Sequence, residues 1–154
     1  LRRYGPKDPC GGADHEFLQR LRPADIVGFY GGLTSTVPRL YKVAQFYKNK
    51  GITTIAGGQH FVEENITEAL NSHIDYVVIG EGEETIIELL KVIEGKQDKN
   101  TVKGIAYLEK GKVVYTPKRE QIKDFDKLPL PDFSLVLCPY SGLSSGEDSG
   151  LRHG

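Results

Sequence analysis

The sequence predicts an α/β fold: a doubly wound parallel sheet, followed by a β-hairpin and a proline-containing linker. Three observations lead there. The runs "ADIVGFY", "ITTIAGG" and "IDYVVIG" are apolar without polar alternation, as strands covered on both faces are. Segments between and after them repeat apolar residues at helical spacing. The connections are only a few residues long. Strand and helix thus alternate three times, the pattern of parallel strands joined by right-handed crossovers.

Taken in order, residues 1–13, "LRRYGPKDPCGGA", have no period and read as a loop. A short helix is expected over "DHEFLQRL", with Asp14 as N-cap and Pro23 past its end. After the first strand, "TVPRLYKVAQFYKNKG" places Val37, Leu40, Tyr41, Ala44 and Tyr47 on one helical face and stops at Gly51. The second strand is followed by a shorter helix over "VEENITEALNS", and the third by a helix from Glu83 to Glu94. That last helix sets Ile86, Leu89, Leu90 and Ile93 on one face and closes at Gly95. "GIAYLEKGKVVYTP" predicts a hairpin turning at Lys110–Gly111. Residues 117–137 carry Pro129 and Pro131 and read as an extended strap. The expected division is therefore a loop at 1–13, an α/β domain at 14–96, a hairpin and connector at 97–137, and a flexible tail at 138–154.

Charge and cysteine usage exclude several functions. Twenty basic residues stand against twenty-one acidic ones, which leaves no field to gather nucleic acid or anionic lipid. No apolar run approaches the roughly 18 residues of a membrane span. Cys10 and Cys138 sit in no paired motif, so the expected setting is a reducing cytoplasm. The sequence starts at Leu1 and contains no methionine, which reads as a piece of a longer chain.

Open parallel sheets bind ligands at the carboxyl ends of their strands. Three loops leave such ends here: "YGGLTSTVP", "GGQHFVEEN" and "GEGEET". Glycine lets a ligand approach the backbone, and free helix N-terminal amides accept phosphate. Thr34, Ser35 and Thr36 add hydroxyl donors in the first loop, Gly57, Gly58, Gln59 and His60 occupy the second, and Gly80, Glu81, Gly82 and Glu83 the third. Each has a plainer reading beside it. The glycines can serve tight strand-to-helix turns, Ser35 and Thr36 can cap a helix, and Glu81, Glu83 and Glu84 can complement a helix dipole. "GEGEET" lacks the third glycine of GxGxxG, and no GxxxxGK[ST] occurs, so a nicotinamide or ATP site is not indicated. His15, His60, His73 and His153 form no HxH or HxxxH pair, and no spacing brings a nucleophile to a base. No catalytic residue and no metal ligand is therefore assigned, and Cys138 in "LCPYSG" reads as an inert thiol.

The order of these loops carries a resemblance. "PADIVGFYGGLTSTVPRLYKVAQFYKNKGITTIAGGQHFVEENITEAL" followed by "IDYVVIGEGEETIIELL" resembles the cobalamin-binding domain of cobalamin-dependent radical S-adenosylmethionine (SAM) proteins. The stretch "VKGIAYLEKGKVVYTPKREQIKDFDKLPLPDF" is similar to the connector leading from that domain to the radical SAM barrel. Together they cover about residues 23–133. The resemblance implies a Rossmann-like, flavodoxin-like cobalamin fold lacking its first strands, with loops at Thr34–Thr36, Gly57–His60 and Gly80–Glu83 receiving the nucleotide tail of cobalamin. A flat benzimidazole needs glycine backbone on one side, and its ribose and phosphate need hydroxyls and amides. The implied role is to present the corrinoid to a radical SAM barrel, in cis or in trans, in an enzyme of methyltransferase or oxidative-cyclase type. The Asp-x-His-x-x-Gly loop that supplies a cobalt ligand in many cobalamin enzymes is missing, and so is the CxxxCxxC of the iron–sulfur cluster. S-adenosylmethionine and the cluster are thus expected only in the parent enzyme, and this chain is not expected to be catalytic alone. The competing expectation is a flavodoxin-like interaction domain that has lost the cofactor and docks a partner domain.

Overall fold

Five strands form one sheet in the order β1-β2-β3-β4-β5. The strands are β1 (Ile26–Tyr30), β2 (Thr53–Gly57), β3 (Tyr76–Val78), β4 (Ile105–Glu109) and β5 (Lys112–Tyr115). The computed structural model describes residues 12–123, 126 and 128–130. Nearly all of the expected loop at 1–13, the tail at 138–154, and both cysteines lie outside the described residues. The chain divides into two compact units, 22–128 and the remainder, and the sheet lies wholly in the first. In the second unit α1 (His15–Leu21) starts at Asp14, whose Oδ1 accepts from the Phe17 amide at 2.9 Å, as an N-cap does.

Strands β1, β2 and β3 are parallel, with Tyr30 opposite Gly57 and Gly57 opposite Val78. The crossovers are α2 (Val37–Lys48) and α3 (Glu63–Asn71), and α4 (Glu83–Ile93) follows β3. Neighbouring residues of a strand point to opposite faces, which sorts the core into two clusters. Leu40 and Ala44 of α2 and Ile66, Ala69 and Leu70 of α3 pack on Ala56, Val77 and Ala106. Leu89 of α4 packs on Ile55, Val78, Ile105 and Tyr107 on the other side. The sheet is therefore wound on both faces, as the uninterrupted apolar runs imply. Each buried Leu or Ile side chain contributes roughly 2 kcal/mol through removal of apolar surface from water.

The hairpin changes the expected architecture. Strand β4 pairs antiparallel with β3, Val78 facing Ile105, and β5 pairs antiparallel with β4. The sheet is mixed, and the expected boundary at 96/97 does not separate two structures: both hairpin strands continue the same sheet. Lys110 (φ 50°) and Gly111 (φ 76°) turn it, both in the left-handed region that a type I′ hairpin requires.

At the amino end of β2 and β3 a polar knot closes the other edge. Asp75 Oδ2 accepts from the Thr54 amide at 3.0 Å, the fully buried Thr54 hydroxyl donates to the His73 carbonyl at 2.7 Å, and Lys48 pairs with Asp75. Every member is bonded, so this edge is tied up in stabilising contacts.

Candidate functional site

The three candidate loops leave the carboxyl ends of β1, β2 and β3, which the parallel register brings to one edge. The first two are knitted together by backbone. Gly31 N donates to the Gly57 carbonyl at 2.8 Å, and His60 N donates to the Gly31 carbonyl at 2.9 Å. A side-chain link follows the same seam: Thr34 Oγ1 lies 3.2 Å from His60 Nδ1. Asn65 of α3 fixes the second loop by donating from Nδ2 to the His60 carbonyl at 2.8 Å.

At this seam the backbone itself requires glycine at Gly58, and aromatic rings crowd Gly31 and Gly32. Gly58 has φ +112°, and a Cβ there would meet the Gly31 carbonyl oxygen and Tyr30 Cε2, both at 2.9 Å. A Cβ on Gly31 would run into the Phe61 ring at 2.5 Å, and one on Gly32 into Tyr30 Cε1 at 2.5 Å. Gly57 differs: its nearest neighbour would be the Val78 Cβ at an ordinary 3.6 Å. The sequence pair Gly57–Gly58 thus holds one obligatory glycine and one that is not.

The polar residues of the first loop face water. Thr34–Thr36 form a single 3-10 turn ahead of α2, and all three are exposed. Thr36 donates its hydroxyl to the Leu33 carbonyl at 2.7 Å and makes no side-chain cap on α2, whose first turn is set by Pro38. Gln59 is exposed. His60 is half-buried, its ring edge-on to Phe61, and its Nε2 is buried without a hydrogen-bond partner among the described residues. A buried ring nitrogen left unpaired costs about 1–3 kcal/mol unless a ligand or water meets it.

The third loop is built differently. Gly80 takes φ +80° in open space, and Gly82 leads into α4. Glu81 Oε2 accepts from the Ile122 amide at 2.7 Å, so this carboxylate holds the chain that follows β5. Arg119 of that segment reaches Glu84 Oε2 at 2.9 Å from Nη1, pairs with Glu88, and donates from Nε to the buried Thr85 hydroxyl at 2.8 Å. Glu83, in the first turn of α4, is exposed and has no such tie among the described residues. The acidic run therefore clamps the strap as well as complementing the dipole of α4.

Between the second and third loops lies a groove of about 910 Å³. Phe61, Val62 and Ile66 form one wall, Ile79 and Gly80 the third-loop side, and Gly104, Tyr115 and Lys118 the hairpin side. Of the residues expected from sequence, only Gly80 lines it. Sequence reasoning missed Tyr30, Phe61, Asn65 and the hairpin residues. The signal for Tyr30 was present, an aromatic at a strand's end directly before the pair Gly31–Gly32, whereas the hairpin residues reach this edge only through long-range pairing.

The B12 binding domain family model matches residues 12–90, just over half of the 154 residues. An uncharacterized methyltransferase of Pyrococcus horikoshii is 35% identical over 116 residues, which cover 73% of this chain and 25% of that protein. The anaerobic magnesium-protoporphyrin IX monomethyl ester cyclase of Cereibacter sphaeroides is 30% identical over 131 residues, 79% of this chain and 20% of the cyclase. The chain thus spans a quarter or less of the length of these curated relatives. The fold is shared with the radical S-adenosylmethionine methyltransferase TsrM of Kitasatospora setae, at a TM-score of 0.58 and 20% identity, over 67% of this chain and 21% of TsrM. It is shared also with the cobalamin-dependent S-adenosylmethionine radical enzyme OxsB, at a TM-score of 0.56 and 19% identity, over 73% of this chain and 16% of OxsB. At these identities the two structures speak for the fold, while the match over the α/β core settles the family: this chain belongs to the B12-binding domain family.

Proposed function

We propose that this chain is the cobalamin-binding module of a radical SAM enzyme, of methyltransferase or oxidative-cyclase type, and that it presents the corrinoid to a catalytic barrel in cis or in trans. The supporting observation is the seam between the first two loops. Gly58 there takes φ +112° with its Cβ position against the Gly31 carbonyl, the rings of Phe61 and Tyr30 lie over Gly31, Gly32 and Gly58, and the buried Nε2 of His60 on the same loop has no partner among the described residues. These residues fit a planar base with a ribose and phosphate attached. Gly32 and Gly58 offer backbone to the flat base, while Thr34 and Ser35 offer exposed hydroxyls to the sugar and phosphate. A Thr34 hydroxyl that donates to His60 Nδ1 leaves the imidazole proton on Nε2, turning the unpaired nitrogen into a donor for an anionic oxygen. Cobalamin, when bound, supplies the cobalt-centred chemistry. The chain's own residues bind, orient and exclude water. Glu81 belongs to the scaffold in this reading, holding the strap rather than the ligand.

No described helix is long and apolar enough to cross a membrane, and a cytoplasmic setting is part of the proposal. Titration of the 154-residue chain with hydroxocobalamin tests it. A shifted visible spectrum and co-elution on gel filtration are expected, and absence of both overturns the reading.

A further inference from the structure

Tyr30 ends β1 with 74% of its surface exposed, yet it is not a free side chain. Its Cε1 and Cζ lie within 2.5 and 3.0 Å of where a Cβ on Gly32 would stand, and its Cε2 and Cδ2 within 2.9 and 3.0 Å of one on Gly58. Opposite edges of one phenol ring thus rest on two different glycines. The ring bridges the two loops while most of its surface meets solvent. Around it this side of β1 is open: Gly28, two residues back on the same face, is exposed and has nothing within 4 Å of its Cβ position.

We propose that Tyr30 is a built-in competitor for the flat base of the cobalamin tail, covering the glycine surface until the base displaces it. This rests on the site reading given above. On these loops a Cβ would meet backbone only at Gly58, while at Gly31 it would meet the Phe61 ring and at Gly32 the Tyr30 ring. The Tyr30 ring fills the space over Gly32 and Gly58, so a ligand base that lies on these two glycines must displace it. The side chain is 74% exposed, so it leaves by an ordinary side-chain rotation, fast compared with ligand binding. The consequence is a conformational tax: apparent affinity is lowered by the fraction of molecules whose surface is bare. Tyr30 thereby lowers the affinity for ligands that carry a planar base and leaves that for corrinoids without one unchanged.

The test compares the full 154-residue chain with Tyr30→Ala and Tyr30→Phe, using hydroxocobalamin and dicyanocobinamide, a corrinoid without the nucleotide base. Absorbance titration is the readout, with the Gly32 and Gly58 amide resonances followed in parallel. If the surface is bare in about a tenth of molecules, Tyr30→Ala binds hydroxocobalamin about tenfold more tightly. Tyr30→Phe behaves as wild type, and cobinamide affinity is unchanged in all three. The Gly32 and Gly58 resonances move on Tyr30→Ala and move again when cobalamin binds wild type. Equal or weaker cobalamin binding by Tyr30→Ala overturns the proposal, as does an equal gain for cobinamide. Failure of every variant to bind hydroxocobalamin removes the cobalamin reading itself, and the proposal with it.

Discussion

Alanine substitution along the glycine surface separates conformational need from sequence pattern. Gly58→Ala places an L-residue at φ +112°, a strain of about 1–3 kcal/mol. It also drives a methyl to 2.9 Å from the Gly31 carbonyl oxygen. That oxygen cannot retreat freely, because it accepts from His60 N while Gly31 N donates to Gly57. Weakening one of those bonds adds about 1 kcal/mol, for a total near 2–4 kcal/mol. Gly80→Ala meets no atom within 4 Å and carries strain alone, about 1–2 kcal/mol. Gly57→Ala finds its nearest neighbour at 3.6 Å and φ outside the left-handed region, so it changes stability little or gains about 0.5 kcal/mol. Urea unfolding followed by far-ultraviolet circular dichroism measures all three. The expected order of loss is Gly58, Gly80, Gly57. A Gly58→Ala variant as stable as wild type, or a Gly57→Ala variant as damaged as Gly58→Ala, refutes the reasoning.

Three further outcomes are expected. Tyr41 has a buried hydroxyl with no partner among the described residues, so Tyr41→Phe gains about 0.5–1 kcal/mol in urea unfolding at neutral pH. Burial, helped by the Glu68 charge, pushes the Tyr41 phenol up to about 12 from 10.0. Between those values unfolded chains have released a proton that folded ones retain, so stability is intact below pH 10 and falls as pH rises to 12. Tyr41→Phe makes that fall shallower in a pH series of thermal melts, without abolishing it, since burial also raises Tyr47 and Tyr107. Arg119 keeps only 11% of its side chain exposed, and Arg119→Gln leaves Glu88 and the Thr85 hydroxyl short of a partner at a cost of about 2–3 kcal/mol. Arg119→Lys does not restore it, because an ammonium lacks the planar fork, and a double-mutant cycle with Glu88→Gln reads the coupling by urea unfolding. Lys110→Asn relaxes the left-handed residue of the hairpin turn and adds about 0.5–1 kcal/mol of stability in urea unfolding.

Much of the fold was legible because burial on both faces writes itself into local composition. "ITTIAGG" and "IDYVVIG" contain β2 and β3, and the stripe of Leu40, Ala44 and Tyr47 is the buried face of α2. Membership of the hairpin in the sheet was not legible, since pairing Val78 with Ile105 is decided by contacts across 27 residues of chain, not by the hairpin's own pattern. At the site, the glycine-bearing loops and their shared edge could be read from strand order alone. The division of labour inside them could not. Glu81 and Glu83 look alike in "GEGEET", and only the placement of Ile122 gives Glu81 a structural partner. Arg119 sits in "PKRE", a run that reads as solvated charge until the fold brings Glu84, Glu88 and Thr85 around it.

The Arg119 clamp also decides where this chain tolerates cutting. A version ending after Thr116 would keep every strand but strip the cation from Glu84 and Glu88, leaving two like charges one helical turn apart. It would remove the Pro117 carbonyl that accepts from Gly104 N at 2.8 Å, and free Glu81 from Ile122. The smallest sturdy fragment therefore runs through residue 122, and any graft onto another enzyme should be spliced downstream of that point.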